Sequence, residues 1–415
     1  MNNLKRGDPP AGALSDLTVI DLGHYIAGPY AASLLAGLGA EVIKVERPEV
    51  GDGARRLGPF LGDKPHLEKS GLFSYLNLGK KGVTLNLKTA QGRKAVRRLA
   101  ARADMVIENF SPRVLPSLGL AYEDLKQVNG GLIMTSISNY GQSGPYRDYR
   151  GYEITLSALG GVQAEIGEPD REPLKLGGQQ LQFMAGLAAA LATMSAVCCR
   201  DLSGAGQWVD VAISEIAATL KGCPATSFQF TKYNRVRNGM RPMSDVIING
   251  DPRIPDVYPI AILLCRDGYV CIDTEQENQF QALCGMIGRP ELADDPRFNH
   301  WKQRSIHADE LDAILSDYLK YKTQQQVLEQ AMDWRVPVGI SNDMEQLFND
   351  PQLRSRGFFT EVDHPMLGRI AYPGHLFIMS ETPWKKSRAP LLGEHNREIL
   401  IDRLGLSVRE VEAAQ

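Results

Sequence analysis

The chain has 415 residues, enough for two or three domains or for one large fold carrying an insertion. Apolar residues make up 43% and charged residues 23%, which excludes wholesale disorder. Lys plus Arg number 46 against 49 Asp plus Glu, a net charge of −3 that leaves no basic footprint for nucleic acid.

Six cysteines, Cys198, Cys199, Cys223, Cys265, Cys271 and Cys284, show no C-x-x-C spacing. They suggest neither a disulfide framework nor a metal site and read as buried free thiols. The N-terminal stretch MNNLKRGDPPAGALSDL has no apolar core of the secretory kind. The longest apolar run, Met184 to Cys199, falls short of the ~20 residues a bilayer requires and reads as a buried helix. A soluble, cytoplasmic protein is expected, with no membrane partner.

In chain order, Leu17–Leu22 reads as a strand buried on both faces. A turn at Gly28 and Pro29 leads into a small-residue helix from about Tyr30 to Leu38. A second strand, Glu41–Val45, ends at Glu46 and Arg47. This β-turn-α-β unit implies a parallel sheet. Strands at Val83–Lys88, Met105–Phe110 and Gly131–Ser138, with a basic amphipathic helix at Gly92–Arg102, continue the pattern. Ligands of such sheets sit beyond the carboxyl ends of the strands, which nominates Asp21–Tyr25, Arg47, Asn109–Phe110 and Ser138–Tyr140. From Gly151 to about Leu220 the chain reads as helical around a polar loop, Gly167–Gln180. Lys232–Pro259 reads as linker and Gly268–Thr274 as a strand. Gln276–Ile287, Ser305–Tyr321 and Thr323–Asp333 read as helices of a smaller domain, and Arg369–Ser380 as a late strand.

The familiar local motifs for phosphate, zinc or serine chemistry are missing, and the first turn, GHYIAGPYA, lacks the dinucleotide G-x-G-x-x-G. Gly23 and Gly28 suit a tight turn or a backbone approached by phosphate. His24, at the end of a buried strand, is the histidine best placed for chemistry. Gly204–Asp210 reads as a turn feeding a strand or as a hairpin, and Asp294–Phe298 as a turn with a helix cap.

Six segments, taken in order, carry a resemblance: VIDLGHYIAGPYAASLLAGLGAEVIKVERPEVGD, ENFSPRVLPSLGLAYEDL, SISNYGQSGPYRDYRGYE, GAGQWVDVAISE, DDPRF and RAPLLGEHNREIL. Over nearly its full length the chain resembles the family III CoA-transferases of the formyl-CoA and carnitine type. The resemblance implies a Rossmann-like α/β large domain with a parallel sheet, built from residues 1–225 and 331–415. A linker and a smaller inserted α+β domain would occupy 226–330, and two protomers would interlock. It also implies an acyl-CoA such as succinyl-CoA and a carboxylic acid as substrates, with no further cofactor and no metal. Matched by position, Arg47 would meet the nucleotide phosphates, Tyr25 and Ala27 would make backbone contacts, and Leu85 and Lys88 would flank the adenine. Asn109 and Phe110 match the strand end that faces CoA. Ser117 and Ser138 stand where the family has cations, and Ile26 where the formyl-CoA type has Gln.

The family's nucleophile is an Asp in a G-x4-D-x3-G context, which attacks the thioester to form an anhydride and then an aspartyl-CoA thioester. Here that spacing reads Gly177, Gln182, Gly186. A neutral amide is not a carboxylate nucleophile, so the covalent route is closed to this chain acting alone. Glu153 matches a family glutamate near the site that is not the nucleophile, and Glu165, Glu168, Asp170 and Glu172 read as solvated loop charges. The expected role is a degenerate subunit beside an Asp-bearing paralogue. The alternatives are self-association into a homodimer that exchanges or racemises acyl-CoA without the aspartyl intermediate, and a non-catalytic CoA-binding protein.

Overall fold

The computed structural model of the chain describes residues 12–168, 170–220, 228–229, 257–385 and 387–415. The chain forms two compact units, one of Met1–Leu156, Gly177–Ala217 and Pro351–Gln415, the other of Ser157–Leu176 and Ala218–Asp350.

The first unit is built on six parallel strands: β1 Thr18–Asp21, β2 Glu41–Glu46, β3 Lys81–Thr84, β4 Met105–Glu108, β5 Ile133–Ser138 and β6 Trp208–Ala212. Their spatial order is β3-β2-β1-β4-β5-β6, so the winding reverses between β1 and β4. Alternation along each strand sorts the side chains. Ile20, Leu22, Ile43, Val45, Val83 and Val106 face a core closed by the helix Ala90–Ala100 and by the C-terminal segment with Ile399, Leu400 and Val411. The opposite face takes the helices Ala27–Gly37 and Gln180–Ser203, which pack on each other. A Cβ on Gly186 would lie 2.7 Å from the Ala27 carbonyl oxygen, so glycine is what permits that approach.

Several predicted boundaries shift for local reasons. Pairing of β3 stops at Thr84, because the Asn86 N–H turns to the carbonyl of Ala414. The first helix begins at Ala27, ahead of Pro29, whose fixed φ suits a first turn. Gly206 leads into β6, a parallel edge strand on β5 rather than a hairpin. The apolar run Met184–Cys199 belongs to a 24-residue helix, Gln180–Ser203, longer than expected and only partly buried, with Leu191 71% and Leu202 92% exposed. Of the cysteines, Cys265 and Cys284 are buried and burial pushes the Cys284 thiol up to about 12. Cys198, Cys199 and Cys271 are exposed, against expectation, and Cys223 lies outside the described residues.

The second unit contains the antiparallel sheet β7 Ile260–Leu264, β8 Tyr269–Asp273 and β9 Val338–Ile340. The helices Glu277–Met286, Ala308–Leu319 and Gln324–Trp334 pack Phe280, Leu315 and Val327 into its core. The sequence reading returns the chain to the large domain at 331. Instead β9 pairs with β8, and the return falls at Pro351. Gly368–Pro373 forms β11 against β10, Phe359–His364, in the first unit. The expected linker at 232–259 lies outside the described residues except for its last three positions, 257–259.

Candidate functional site

The reversal between β1 and β4 leaves a crevice beyond their carboxyl ends, the usual ligand position in a doubly wound sheet. Asn109, just past β4, stitches the two sides together. Its Oδ1 accepts the His24 N–H at 2.7 Å, and its Nδ2 donates to the His24 carbonyl at 2.8 Å. Tyr25 follows with φ +63°, a backbone region that bulky residues avoid, and its side chain is 52% exposed. Such strain persists only where surrounding contacts dictate the conformation. Here the Tyr25 N–H donates to Asp52 Oδ1 at 2.9 Å, and its ring lies against Gly53, where a Cβ would come within 2.3 Å.

Asp52 belongs to a buried ionic cluster beneath this turn. Lys44 Nζ lies 2.9 Å from Asp52 Oδ2 and 3.6 Å from Asp21 Oδ2, and it donates to the Gly23 carbonyl. Asp21 accepts the Gly23 N–H at 2.8 Å and Lys80 Nζ at 2.8 Å. Burial works against the charge on Asp52, yet Lys44, His24 and the Ala54 N–H together hold its carboxyl well below the ordinary aspartate range. Burial brings Lys80 down to about 8 although Asp21 opposes the shift. Glu46 grips the fully buried Arg55 at 2.7 and 2.8 Å and accepts the Asp52 N–H. The strand-end turns around Gly23, Tyr25 and Asp52 are therefore anchored by compensated buried charges.

Two cavities share the resulting wall of Tyr25, Asn109, Phe110 and Ser111. The first, about 550 Å³, is lined by Tyr25, Arg47, Leu85, Lys88, Asn109 and Phe110, which gathers six of the seven predicted CoA contacts. Ser117 and His24 line it too. His24 Nδ1 stands 3.5 Å from Asp52 Oδ1, too long for a full hydrogen bond, with its ring edge-on to Phe110. Ala27 is the seventh and does not reach either cavity. It is fully buried, and its carbonyl faces Gly186. Ile26 is buried as well, outside both linings.

The second cavity, about 660 Å³, holds Gln182 and Ser138 together with Asn139 and a Tyr- and Arg-rich segment, Arg147–Tyr152. Gln182 sits in the first turn of Gln180–Ser203. The N-cap residue of that helix, Gln179, makes no side-chain cap, and Glu153 supplies one from a distance: its Oε1 accepts the Leu181 N–H at 2.9 Å. Glu153 thus acts on the helix end that presents Gln182 and does not itself line the cavity.

Sequence reasoning misses the Asp21–Lys44–Asp52–Lys80 cluster and the arginines of the second cavity. A lysine inside an apolar strand, as in EVIKVE, is the available clue to buried pairing. Among the described residues no group of three or more His, Cys, Asp or Glu could hold a metal ion.

The sequence profile of CoA-transferase family III matches residues 14–396. The chain is 35% identical over 411 residues to the succinyl-CoA–D-citramalate CoA-transferase of Chloroflexus aurantiacus, covering 98% of each chain. It is 33% identical over 408 residues to the succinate–glutarate CoA-transferase of Agrobacterium fabrum, covering 97% of this chain and 98% of that one. The crystal structure of a CAIB/BAIF family protein from Brucella suis superposes with a TM-score of 0.82 at 32% identity, over 95% of this chain and 100% of that one.

Proposed function

The chain belongs to CoA-transferase family III, and on that premise we propose that it is the subunit of a heteromeric transferase that lacks the nucleophile, paired with an Asp-bearing paralogue. The enzyme would move CoA from succinyl-CoA to a carboxylic acid. (R)-Benzylsuccinate is one example of such an acid, and with it the protein would work in the cytoplasm in anaerobic aromatic degradation. One observation carries the reading: Gln182 occupies the cavity beyond the wall that bounds the Arg47 and Lys88 cavity. CoA bound with its adenine at Leu85 and Lys88 would cross Tyr25, Asn109 and Phe110 and bring its thioester to an amide. An amide nitrogen is delocalised into its carbonyl, and its oxygen carries no full negative charge. A barrier higher by even ~5–6 kcal/mol removes about four decades of rate. In this reading the chain's own residues bind CoA without turning it over, and the mixed complex has one competent site per pair, where the carboxylate of the Asp-bearing partner attacks the thioester.

Purified alone, the chain is expected to form no hydroxylamine-sensitive enzyme–CoA thioester and to show at least about 10⁴-fold lower turnover than the mixed complex. In that complex, replacing the partner's Asp abolishes turnover, whereas Gln182→Ala stays within a few-fold of wild type. Gln182→Asp restores thioester formation if the nucleophile alone was lost. Robust transfer by the single chain, with a contaminating paralogue excluded by mass spectrometry, overturns the reading.

A further inference from the structure

A third cavity, about 160 Å³, lies beside β4, β5 and β6 and belongs entirely to the first unit. Leu115 and Pro116 line it, whereas Val114 and Ser117 of the same short helix line the Arg47 and Lys88 cavity. It shares Ser111, Pro112 and Arg147 with the Gln182 cavity, but Gln182 itself, Tyr25, Asn109 and Phe110 do not line it. The groups placed beside CoA therefore do not face this cavity.

Two N–H donors of its lining, Gln142 Nε2 and Arg147 Nε, are buried and have no hydrogen-bond partner among the described residues. The neighbouring acids are engaged elsewhere. Glu108, 4% exposed, accepts the Phe110 N–H at 2.7 Å and the Ser136 hydroxyl, and Ser136 Oγ in turn accepts Trp208 Nε1 at 2.9 Å. Asp210 on β6 accepts the Gln142 backbone N–H at 2.9 Å. Asp148, which feels the Arg147 charge, is gripped by two nitrogens of Arg113. Glu123, the other acid of the lining, is exposed to solvent. Burial raises the Glu108 carboxyl to about 7 against the hydrogen bonds from Ser136 and Phe110, and Asp210 adds like charge. Below neutrality the lining thus offers a guanidinium, an amide and a neutral carboxyl, opposed only by the solvated Glu123. An N–H buried without an acceptor costs its desolvation, and a planar oxygen pair serves a guanidinium and an amide together.

We propose that this cavity is a second ligand site, separate from both substrates, which takes a small monoanion through Gln142 and Arg147 and seats its apolar body against Leu115, Met134 and Trp208. A dry cavity of about 150 Å³ accepts a body of benzene size, which bounds the ligand at a single ring. A diacid is excluded, because its second carboxylate would meet apolar walls or Glu108. The shared chemistry is a planar oxyanion, and an inorganic ion such as nitrate is the competing source. The ring acid is favoured by the apolar side of the lining. An anion here stabilises the protonated form of Glu108, so binding and proton uptake are linked. The proposal stands whether or not this chain turns over CoA.

The test is calorimetry on the full-length chain with benzoate, nitrate and succinate, at about pH 6 and about pH 8. Benzoate is expected to bind more tightly than nitrate, with succinate competing at least about tenfold more weakly, and its affinity should fall about tenfold between the two pH values. Glu108→Gln should keep the affinity seen at the lower pH and lose that pH dependence. Gln142→Ala and Arg147→Ala should each weaken benzoate about tenfold. Gln142 lines this cavity and not the Gln182 one, so its variant separates the two sites. Arg147→Lys, which keeps the charge and loses the fork, should fall between and guards against a folding defect in Arg147→Ala. No benzoate binding at millimolar concentration, or binding that Gln142→Ala leaves unchanged, overturns the site. Nitrate or succinate matching benzoate overturns the assigned ligand class, and an unaltered pH dependence in Glu108→Gln overturns the proton linkage.

Discussion

The two cavities share one wall yet are held by opposite kinds of chemistry. Beneath the Arg47 and Lys88 cavity lie charges that satisfy one another: Lys44 meets Asp21 and Asp52, Lys80 meets Asp21, and Arg55 meets Glu46. The Gln182 cavity is lined instead by guanidiniums left over after Arg113 has taken Asp148. A compensated buried cluster fixes a backbone, as Tyr25 at φ +63° illustrates, whereas uncompensated charge at a cavity surface is available to a ligand. The difference separates architecture from recognition.

Three measurements sharpen that contrast. The largest effect belongs to Asp52→Ala, which removes the nearer of the two carboxylates that meet buried Lys44, leaving Asp21 at 3.6 Å, and releases the Tyr25 N–H. Breaking a buried pair from one side costs about 3–5 kcal/mol, so a large fall in the denaturation midpoint is expected. A change below ~1 kcal/mol would show that the cluster does not anchor the wall.

Next comes Glu108, the last residue of β4, directly before Asn109 and Phe110. Burial raises its carboxyl to about 7, against hydrogen bonds from Ser136 and the Phe110 N–H. Its folded pKa lies above the unfolded value near ~4.3, so the native state holds the extra proton between those values. This contribution to stability is fully present below about pH 4.3 and is lost as pH rises through about 7. The wild type should therefore lose about 3 kcal/mol relative to Glu108→Gln between about pH 4.5 and 7.5, read from paired denaturant titrations. Parallel pH profiles for the two proteins contradict this.

The smallest effects are Arg47→Ala and Lys88→Ala. Both side chains are exposed, so stability should hardly move. CoA affinity should fall by about 1.5–3 kcal/mol for each hydrogen bond to phosphate that is removed, with a weaker salt dependence. Unchanged affinity in the double variant would remove the nucleotide end from this cavity.

Much of the first unit is legible in the sequence because its signals are local. Apolar-rich runs mark β1, β2, β4 and β5 to within two residues at either end, and the carboxyl ends of β1 and β4 are nominated by the sequence alone. The strand at Trp208–Ala212 stays open between two sequence readings, since its first three residues are not buried and it pairs on one side alone. The boundary expected at 331 misses the return to the large unit because β9 is three residues long, too short for a periodic signature. It joins its sheet through β8, some seventy positions away.

Of the candidate site, residue identity is decided in the chain itself: the amide at Gln182 rules out a carboxylate nucleophile there whatever the fold does. What Glu153 does, by contrast, is a tertiary matter, because its carboxylate meets the Leu181 N–H across 28 positions. The same holds for Lys44 and Asp52, and for Ala27, whose neighbours turn it away from the cavity that its sequence position suggested. Hydrophobic period and turn chemistry act between residues a few positions apart and are written along the chain. Whether a buried charge is balanced, a cation left over or a helix end capped depends on which distant groups the fold brings within ~3 Å, and that the tertiary structure alone decides.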